Sequence, residues 1–428
     1  MAEVSAREIA LHILKAVESE GAYANLALNR ALEEYRPSKL DRAFATELAY
    51  GTLRTLNTLD WITARFLHQP LGAQTVWIRN ILRLGVYQLF YMDKVPAGAA
   101  CNEAVELAKK FGTPGAARFV NGVLRNVARH KEDIVFPQPE MDPVAYISLK
   151  YSYPTWMVER WLTEYGPEDT IALCRANNTI PPNTVRTNSL KVDRDTLVRR
   201  LEQEGLTVHK TRFAPNGLQI DGFLSIRSLP SFGEGLFQIQ DESSMLAAHA
   251  VNPAHGARVL DVCSAPGGKT THLAELMQNE GVIKALDIHP HKLDLVRENC
   301  RRLGIRNVET ILLDARDLPG RFDGWADYVL VDAPCSGLGV LRRRPDARWR
   351  KEPGQINGLV RLQEAVLSGA AHCVRPGGVL VYSTCTITYE ENLGQVQSFL
   401  TRHPDFHFED LRPFLPAELG EKMMARGY

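Results

Sequence analysis

Apolar residues recur three and four positions apart along the first 130 residues or so of the chain. Two series show this spacing: Ile9, Ile13 and Val17, and Ile78, Leu82, Val86 and Leu89. It is the period of one face of an α-helix, so the spacing predicts an all-helical domain. The stretch KEDIVFPQPEMDP carries three prolines and is predicted to end this domain, which we assign to residues 1–140.

The next part of the chain mixes two patterns. TWMVERWLTEYG has helical spacing, whereas NTVRTNSL and GLQI are short apolar runs typical of strands. This mixture predicts a small α+β module over residues 141–235. The turn-rich stretch SLPSFGEG marks its end.

Residues 236–428 repeat an order of strand, loop and helix. Five apolar runs carry it: RVLDVC, VIKALDI, NVETILLD, YVLVDAP and GGVLVYSTC. Continuous apolar strands that alternate with helices predict an α/β domain with a doubly wound, mostly parallel sheet.

Polar residues cluster where these predicted strands end. In an open parallel sheet, ligands bind at the carboxyl ends of the strands. The first run leads into a glycine loop, whose glycines permit close backbone approach and whose following helix offers free amide groups. The loop consists of Cys263, Ser264, Ala265, Pro266, Gly267, Gly268 and Lys269. It predicts a site for a ligand that carries a carboxylate or a phosphate.

Aspartates end the next three strands. Asp287 follows the glycines by about 20 residues, a spacing at which a carboxylate binds ribose hydroxyls. Asp314 could accept a hydrogen bond from an adenine amino group, and Asp332 ends the fourth strand. Each aspartate alone could instead cap a helix. Their shared position at strand ends favours a single site for a nucleoside cofactor.

Two cysteines, Cys335 and Cys385, stand 50 positions apart, each just after an apolar run. A pair of thiols beside a cofactor site indicates nucleophilic catalysis. The five other cysteines are predicted to be ordinary buried thiols, because free cysteine behaves as a small hydrophobic residue.

The composition of the chain narrows the possible functional classes of the protein. Lysine plus arginine equals aspartate plus glutamate at 50 each, so overall charge does not indicate a nucleic-acid partner. The seven cysteines include no Cys-x-x-Cys pair, so we predict no metal site and no disulfide framework. No apolar run reaches membrane-spanning length, and we predict a cytoplasmic protein with no membrane association.

Three other interpretations compete. Residues 263–270 match the phosphate-binding loop of ATPases except at the first position, where Cys263 replaces glycine, and Pro266 removes one amide donor. A zinc nucleobase deaminase is weaker, because P-C-x-x-C is absent. A ribosomal RNA-binding protein with an inactive catalytic domain stays possible.

The motifs VLDVCSAPGGKT, LLDA, VDAPCSGLGVLRRRPD and YSTCTITYEEN occur in this order. Together they resemble the Sun (Fmu, RsmB) family of RNA cytosine-C5 methyltransferases. The segments GTLRTLNTLDWI, LRLGVYQLFYMDKVPAGAACNEAVELAKKFG and FVNGVLRN resemble the helical NusB-like domain of the RsmB branch. The resemblance implies a Rossmann-like domain dependent on S-adenosylmethionine, preceded by a NusB-like domain.

The resemblance also implies roles. The loop 263–269, Asp287 and Asp314 would hold S-adenosylmethionine, and Asp332 would lie between cofactor and base. Cys385 would attack carbon 6 of cytosine, and Cys335 would help to release the product. The implied substrate is small-subunit ribosomal RNA, at position 967 of the 16S molecule, and we expect a monomer.

Two further expectations concern RNA binding and the carboxyl terminus. A basic segment with one aromatic residue follows Cys335 and suits phosphate and base contacts: Arg342, Arg343, Arg344, Arg348, Trp349, Arg350 and Lys351. Family members usually end with a strand containing Asp-Gly-Phe-Phe, whereas this chain stops at Tyr428. We therefore expect a strand near FHFEDL that lacks its partner.

Overall fold

The structure, a computed structural model, describes residues 4–419 and 421. The chain forms two compact units. The first contains residues up to 180 together with 340–353, and the second contains 181–339 and the residues from 354 onward.

The first unit is helical, as the spacing of apolar residues predicts. Its helices are α1 (Ala6–Ser19), α2 (Ala24–Tyr35), α3 (Lys39–Arg54), α4 (Leu56–Ala64), α5 (Val76–Tyr91), α6 (Ala97–Phe111), α7 (Ala116–Arg129), α8 (Pro143–Tyr151) and α9 (Thr155–Asn178). Ser5, Ser38 and Thr75 cap α1, α3 and α5 through side-chain oxygens that accept backbone N–H groups. Within α9 the helix breaks at Gly166, whose φ is 73°, immediately before Pro167.

The apolar series of the sequence forms the core of this unit. Ile9 and Ile13 of α1 pack in one buried cluster with Leu82 and Val86 of α5, and all four are almost fully buried. Burying such a side chain contributes about 1.5–3 kcal/mol, so this shared face holds the helices together.

The second unit begins with a four-stranded antiparallel sheet. Its elements are β1 (Thr184–Thr187), α10 (Arg194–Gln203), β2 (Thr207–Lys210), β3 (Gly217–Asp221), the short α11 (Pro230–Gly233) and β4 (Phe237–Ile239). The strand order is β2-β3-β1-β4, and every pairing is antiparallel. The small α+β module predicted from the sequence is confirmed.

A five-stranded parallel sheet follows in the same unit. Its elements are α12 (Glu242–Val251), β5 (Arg258–Asp261), α13 (Gly268–Leu276), β6 (Val282–Asp287), α14 (Pro290–Leu303), β7 (Val308–Leu312), β8 (Ala326–Asp332), α15 (Pro353–Cys373), β9 (Val374–Ser383) and α16 (Leu393–Arg402). Each of the five apolar runs coincides with or overlaps one strand, and all four pairings are parallel.

The strand order β7-β6-β5-β8-β9 places the site. The chain moves outward from β5 to β7 and then returns to the other side of β5 with β8. The order therefore reverses between β5 and β8, and ligands bind at such a reversal, beside the carboxyl ends of the strands. The loops after these two strands carry Cys263 and Cys335.

Two arginines join the small sheet to the helices of the large one. Arg186 of β1 is fully buried and forms an ion pair of 2.7 Å with Glu275 of α13. Arg302 of α14 donates hydrogen bonds to the carbonyl oxygens of Phe232 and Phe237. Arg302 therefore ties the helices of the large sheet to the small sheet.

Three expectations need comment. Residues 404–411, which include FHFEDL, pair with no strand among the described residues, and the expectation of an unpaired strand there stays a prediction. Residues 425–428, on which the expectation of a missing last strand rests, lie outside the described residues.

The domain boundaries at 140 and 235 stay predictions, since compactness instead groups α8 and α9 with the first unit. None of the described helices has the length and apolar character needed to cross a membrane.

Candidate active site

The glycine loop between β5 and α13 is fixed by hydrogen bonds to the neighbouring strand. Both the backbone N–H and the hydroxyl of Ser264 donate to the carbonyl oxygen of Leu286, at 2.8 and 2.9 Å. Gly267 has a φ of 97°, and a Cβ there would lie 3.2 Å from Cα of Val296. Only glycine suits both the conformation and the close approach, so this loop requires Gly267.

Carboxylates surround this loop. Burial raises the pKa of Cys263, and the negative charges of four aspartates raise it further: Asp261, Asp332, Asp287 and Asp314. Three of them were predicted from their strand ends, and the sheet brings them together. The local charge is therefore negative, which favours a cationic ligand and disfavours a triphosphate.

Asp261 ends β5 and was missed by the sequence analysis. It is fully buried, and burial raises its pKa to about 7, although Thr270 donates a hydrogen bond of 2.7 Å to its Oδ2. Its Oδ1 is buried without a hydrogen-bond partner among the described residues. An orphaned acceptor of this kind, at the base of a glycine loop, fits a site that a polar ligand completes.

Asp287 and Asp314 have the local roles that aspartates after strands often have. Oδ1 of Asp287 accepts the N–H of His289 at 2.9 Å. Asp314 caps a short 3₁₀ turn by accepting the N–H of Arg316, and the Arg316 guanidinium also binds its carboxylate. These hydrogen bonds lower the pKa of Asp314. Both side chains still lie at the strand ends that the sequence predicts.

Asp332 ends β8 between the glycine loop and β9. Lys269 Nζ lies 2.6 Å from its Oδ2, and Ser383 donates a hydrogen bond of 3.2 Å to its Oδ1. The loop lysine and the strand-end carboxylate therefore form one ion pair, which orients Asp332.

The two predicted cysteines meet beside this ion pair. Sγ of Cys335 lies 3.2 Å from Sγ of Cys385, and the backbone N–H of Cys385 points to Cys335 Sγ at 3.3 Å. Cys385 is exposed and Cys335 is half-buried. The pKa of Cys335 is raised, first by its hydrogen bond with Cys385 and then by burial. The structure thus pairs an accessible thiol with a neighbouring thiol whose pKa is raised.

Comparison with known proteins identifies the family of the chain. Residues 248–426 match the family model of the 16S rRNA methyltransferase RsmB/F, residues 4–129 match the NusB family, and 153–227 match the ferredoxin-like domain of RsmF/B-like methyltransferases. The probable ribosomal RNA small subunit methyltransferase B of Bacillus subtilis is 40% identical over 95% of this chain and 90% of its own length. This chain belongs to the ribosomal RNA small subunit methyltransferase B family.

Other members and solved structures agree. The methyltransferase B of Pseudomonas putida is 36% identical over 95% of this chain and 91% of its own. The crystal structure of PH0851 superposes with a TM-score of 0.80 at 28% identity and covers 94% of this chain and 90% of that one. NSun6 from Pyrococcus horikoshii, solved with SFG, has a TM-score of 0.55 at 27% identity over 59% of this chain and 88% of its own. The chain is therefore a methyltransferase with a Rossmann-like catalytic domain, as the sequence predicts.

A buried carboxylate beside the cysteines escaped the sequence analysis. Glu391 is fully buried and accepts hydrogen bonds from Ser336, next to Cys335, and from Thr386, next to Cys385. The signal was present in YSTCTITYEEN, where hydroxyl residues alternate after the cysteine and precede two acids. A sequence does not show that these side chains point inward, so they passed for a polar loop.

The arginine segment predicted to bind RNA is largely structural in this family member. Val340–Pro353 belongs to the first unit, and Arg348 is fully buried there. Its guanidinium donates to the carbonyl oxygens of Arg54 and Ser152 and lies 4.0 Å from the ring of Tyr153. The indole N–H of Trp349 donates to a carbonyl oxygen at 2.7 Å. The prediction that Arg348 contacts RNA is therefore wrong, since its side chain is fully buried within the helical unit, whereas the RNA contact of the half-buried Trp349 stays a prediction.

Four of the five other cysteines, Cys101, Cys174, Cys300 and Cys373, are buried, as predicted. The fifth, Cys263, is half-buried in the glycine loop. In residues 4–419 and 421, no group of three or more histidine, cysteine, aspartate or glutamate side chains is arranged to hold a metal ion.

Proposed function

We propose that this protein methylates carbon 5 of a cytosine in small-subunit ribosomal RNA, at position 967 of the 16S molecule, with S-adenosylmethionine as donor. The observation that carries the proposal is the thiol pair: two sulfur atoms 3.2 Å apart, at the ends of adjacent strands and beside an acidic glycine loop. Such a pair suits a reaction in which one thiol attacks carbon 6 and another group acts at the neighbouring carbon 5.

The acidic surroundings of the glycine loop support the cofactor assignment. S-adenosylmethionine carries a positive sulfonium and an ammonium group, which the carboxylates around Cys263 would stabilise. In this proposal the loop 263–269 holds the amino-acid end, Asp287 binds the ribose and Asp314 accepts from the adenine. The relative NSun6 was solved with SFG, an analogue of S-adenosylmethionine, which supports the same choice. Once bound, the cofactor supplies an activated methyl group.

The protein's own residues carry out the remaining chemistry. Cys385, as thiolate, forms a bond to carbon 6, and the electron pair of the 5,6 double bond becomes available at carbon 5 for methylation. A water molecule or a basic side chain then accepts the proton from carbon 5, the electron pair of that C–H bond re-forms the double bond, and the Cys385 thiolate leaves carbon 6. Cys335 assists this release, and its raised pKa supports a protonated thiol that stabilises the neighbouring thiolate.

Asp332 is proposed to hold the base edge. Its carboxylate is already oriented by Lys269 and Ser383, so it can meet the ring without reorganisation. The cytoplasmic location, the monomeric state and the absence of a metal stay predictions.

The test is transfer of a labelled methyl group to small-subunit ribosomal RNA, followed by nucleoside analysis. We expect label in 5-methylcytidine at a single position. Label at another atom of the base would contradict the cytosine-C5 assignment, and binding of RNA without any transfer would favour an inactive RNA-binding protein.

A further inference from the structure

One buried carboxylate connects the two cysteine loops. Oε1 of Glu391 accepts the backbone N–H of Ser336 at 2.8 Å, and Oε2 accepts the Ser336 hydroxyl at 2.6 Å. From the other loop, the hydroxyls of Thr388 and Thr386 donate to Oε2 at 2.8 and 3.3 Å. Gln363 of α15 adds a bond of 3.0 Å to Oε1. Glu391 thus gathers donors from three separate segments.

The donors are adjacent to the reactive thiols in the sequence. Ser336 follows Cys335 and Thr386 follows Cys385, and their hydroxyl oxygens lie 2.7 Å apart. The loops also meet through their backbones, because the N–H of Gly339 donates to the carbonyl oxygen of Cys385 at 3.0 Å. A change at Glu391 would therefore act on both thiols at once.

We infer that Glu391 is a positioning residue that fastens the Pro-Cys and Thr-Cys loops together, so that both thiols reach one pyrimidine ring. The inference rests on the proposed function, in which the two sulfur atoms act on neighbouring carbons. A displacement of about 1 Å between reacting groups can cost on the order of a hundredfold in rate. The carboxylate touches neither thiol directly and acts through the residues that follow them.

The role requires an ionised carboxylate. Five donor groups converge on its two oxygens, and an ionised carboxylate, which carries no proton, accepts from all of them. These hydrogen bonds lower the pKa of Glu391 against the effect of burial. In Glu391→Gln, a neutral amide replaces the carboxylate, so the hydroxyl groups around Oε2 must reorient and the charge-assisted hydrogen bonds that hold the loops together are lost.

A matched control exists in the small sheet of the same unit. Glu204 accepts the backbone N–H of Ser231 at 3.1 Å and its hydroxyl at 2.8 Å, the same pattern that Glu391 forms with Ser336. Glu204→Gln therefore removes equivalent hydrogen bonds away from the cysteines.

The test uses phenylarsine oxide, which binds two close thiols, forming two As–S bonds and releasing water. The full-length protein is titrated, and the modified peptides are assigned by mass spectrometry. We expect Glu391→Gln to weaken binding at Cys335 and Cys385 by about tenfold or more, and Glu204→Gln to change it by less than about twofold. Unchanged affinity in Glu391→Gln, or an equal loss in Glu204→Gln, would overturn the inference.

Two further measurements distinguish a role of Glu391 in positioning the cysteine loops from a role in folding, and from the proposed methyl transfer itself. If Glu391→Gln does not fold, Ser336→Ala removes one donor, and weakened arsenical binding is expected, whereas wild-type affinity overturns the inference. In folded Glu391→Gln, we expect kcat to fall while the Kd for S-adenosylmethionine stays unchanged; the reverse pattern contradicts a positioning role. Because arsenical binding needs no RNA, it decides the role of Glu391 even if the wild-type protein forms no 5-methylcytidine.

Discussion

The arginine segment directly follows the Cys335 loop in the sequence. The two regions nevertheless differ in the sign of the charged group that is buried near them. Up to Gly339, the chain belongs to the unit with the parallel sheet, and the buried charge nearby is the carboxylate of Glu391. From Val340 to Pro353 it belongs to the helical unit, and the most deeply buried charged group of this segment is the guanidinium of Arg348. Glu391 collects N–H and O–H donors, whereas Arg348 collects carbonyl oxygens.

The difference teaches that closeness in sequence to a catalytic loop is weak evidence of a catalytic role. Strand ends are fixed by sheet topology, so residues there share a site. A segment between elements is free to pack elsewhere, and its arginines can satisfy helix carbonyls as readily as phosphates. Burial lowers the pKa of Arg348, because the charged guanidinium is removed from water.

The largest expected effect is the loss of methyl transfer when the Cys385 thiol is removed. Cys385→Ala should lower methyl transfer by at least about a thousandfold, because the covalent step is lost, and should leave stability nearly unchanged at this exposed position. Transfer of tritiated methyl groups to ribosomal RNA measures the effect. Cys101→Ala, a buried thiol of the helical unit, serves as the control, and activity retained in Cys385→Ala would assign the nucleophile elsewhere.

Substitution of Arg348 should act on stability, in contrast to substitution of Cys385, which should act on methyl transfer. Arg348→Ala is expected to lower the free energy of unfolding by about 3 kcal/mol, since buried carbonyl oxygens lose their donor. Urea denaturation followed by circular dichroism measures it. The exposed Arg344 is the matched control, and Arg344→Ala should change stability by less than about 0.5 kcal/mol. Weakened RNA binding at full stability in Arg348→Ala would restore the original prediction.

Removal of a strand-end carboxylate should affect only the binding of the cofactor. Asp287→Ala is expected to raise the Kd for S-adenosylmethionine about 10- to 100-fold, because a hydrogen-bonded carboxylate contributes about 1.5–3 kcal/mol. Calorimetry measures the constant. Asp317→Ala removes an exposed carboxylate a short way beyond another strand end and should have little effect. Equal effects of the two variants would count against a ribose-binding Asp287.

The smallest step-by-step effect is a pH dependence of stability, which amounts to about 1.4 kcal/mol or less for each pH unit. The pKa of buried Asp261 is raised to about 7, so the folded protein binds this proton more tightly than the unfolded chain does. Wild-type stability should therefore fall as pH rises between about 4 and 7, and Asp261→Asn should lack this decline. The stability difference between the two should grow by up to about 1.4 kcal/mol per pH unit, and parallel curves would contradict the burial of a titrating carboxyl.

The sequence predicts the fold well, together with the position of polar residues at the strand ends, for a physical reason. Continuous apolar runs are diagnostic of a parallel sheet, and Asp287, Asp332 and Cys385 follow such runs directly. Glu391 and Asp261 were missed because burial of a polar side chain depends on partners distant in sequence, such as Ser336. Arg348 was misassigned for the same reason, since its acceptors lie nearly 200 or more positions away.

The central claim is a covalent bond between Cys385 and the target cytosine. RNA in which 5-fluorocytidine replaces cytidine retains fluorine at carbon 5, so the base cannot be released once methylated. After incubation with this RNA and S-adenosylmethionine, peptide mass spectrometry identifies the linked residue. We predict a stable adduct on Cys385 that carries one added methyl group; an adduct on Cys335 instead, or no adduct from an enzyme that methylates normal RNA, would contradict the account.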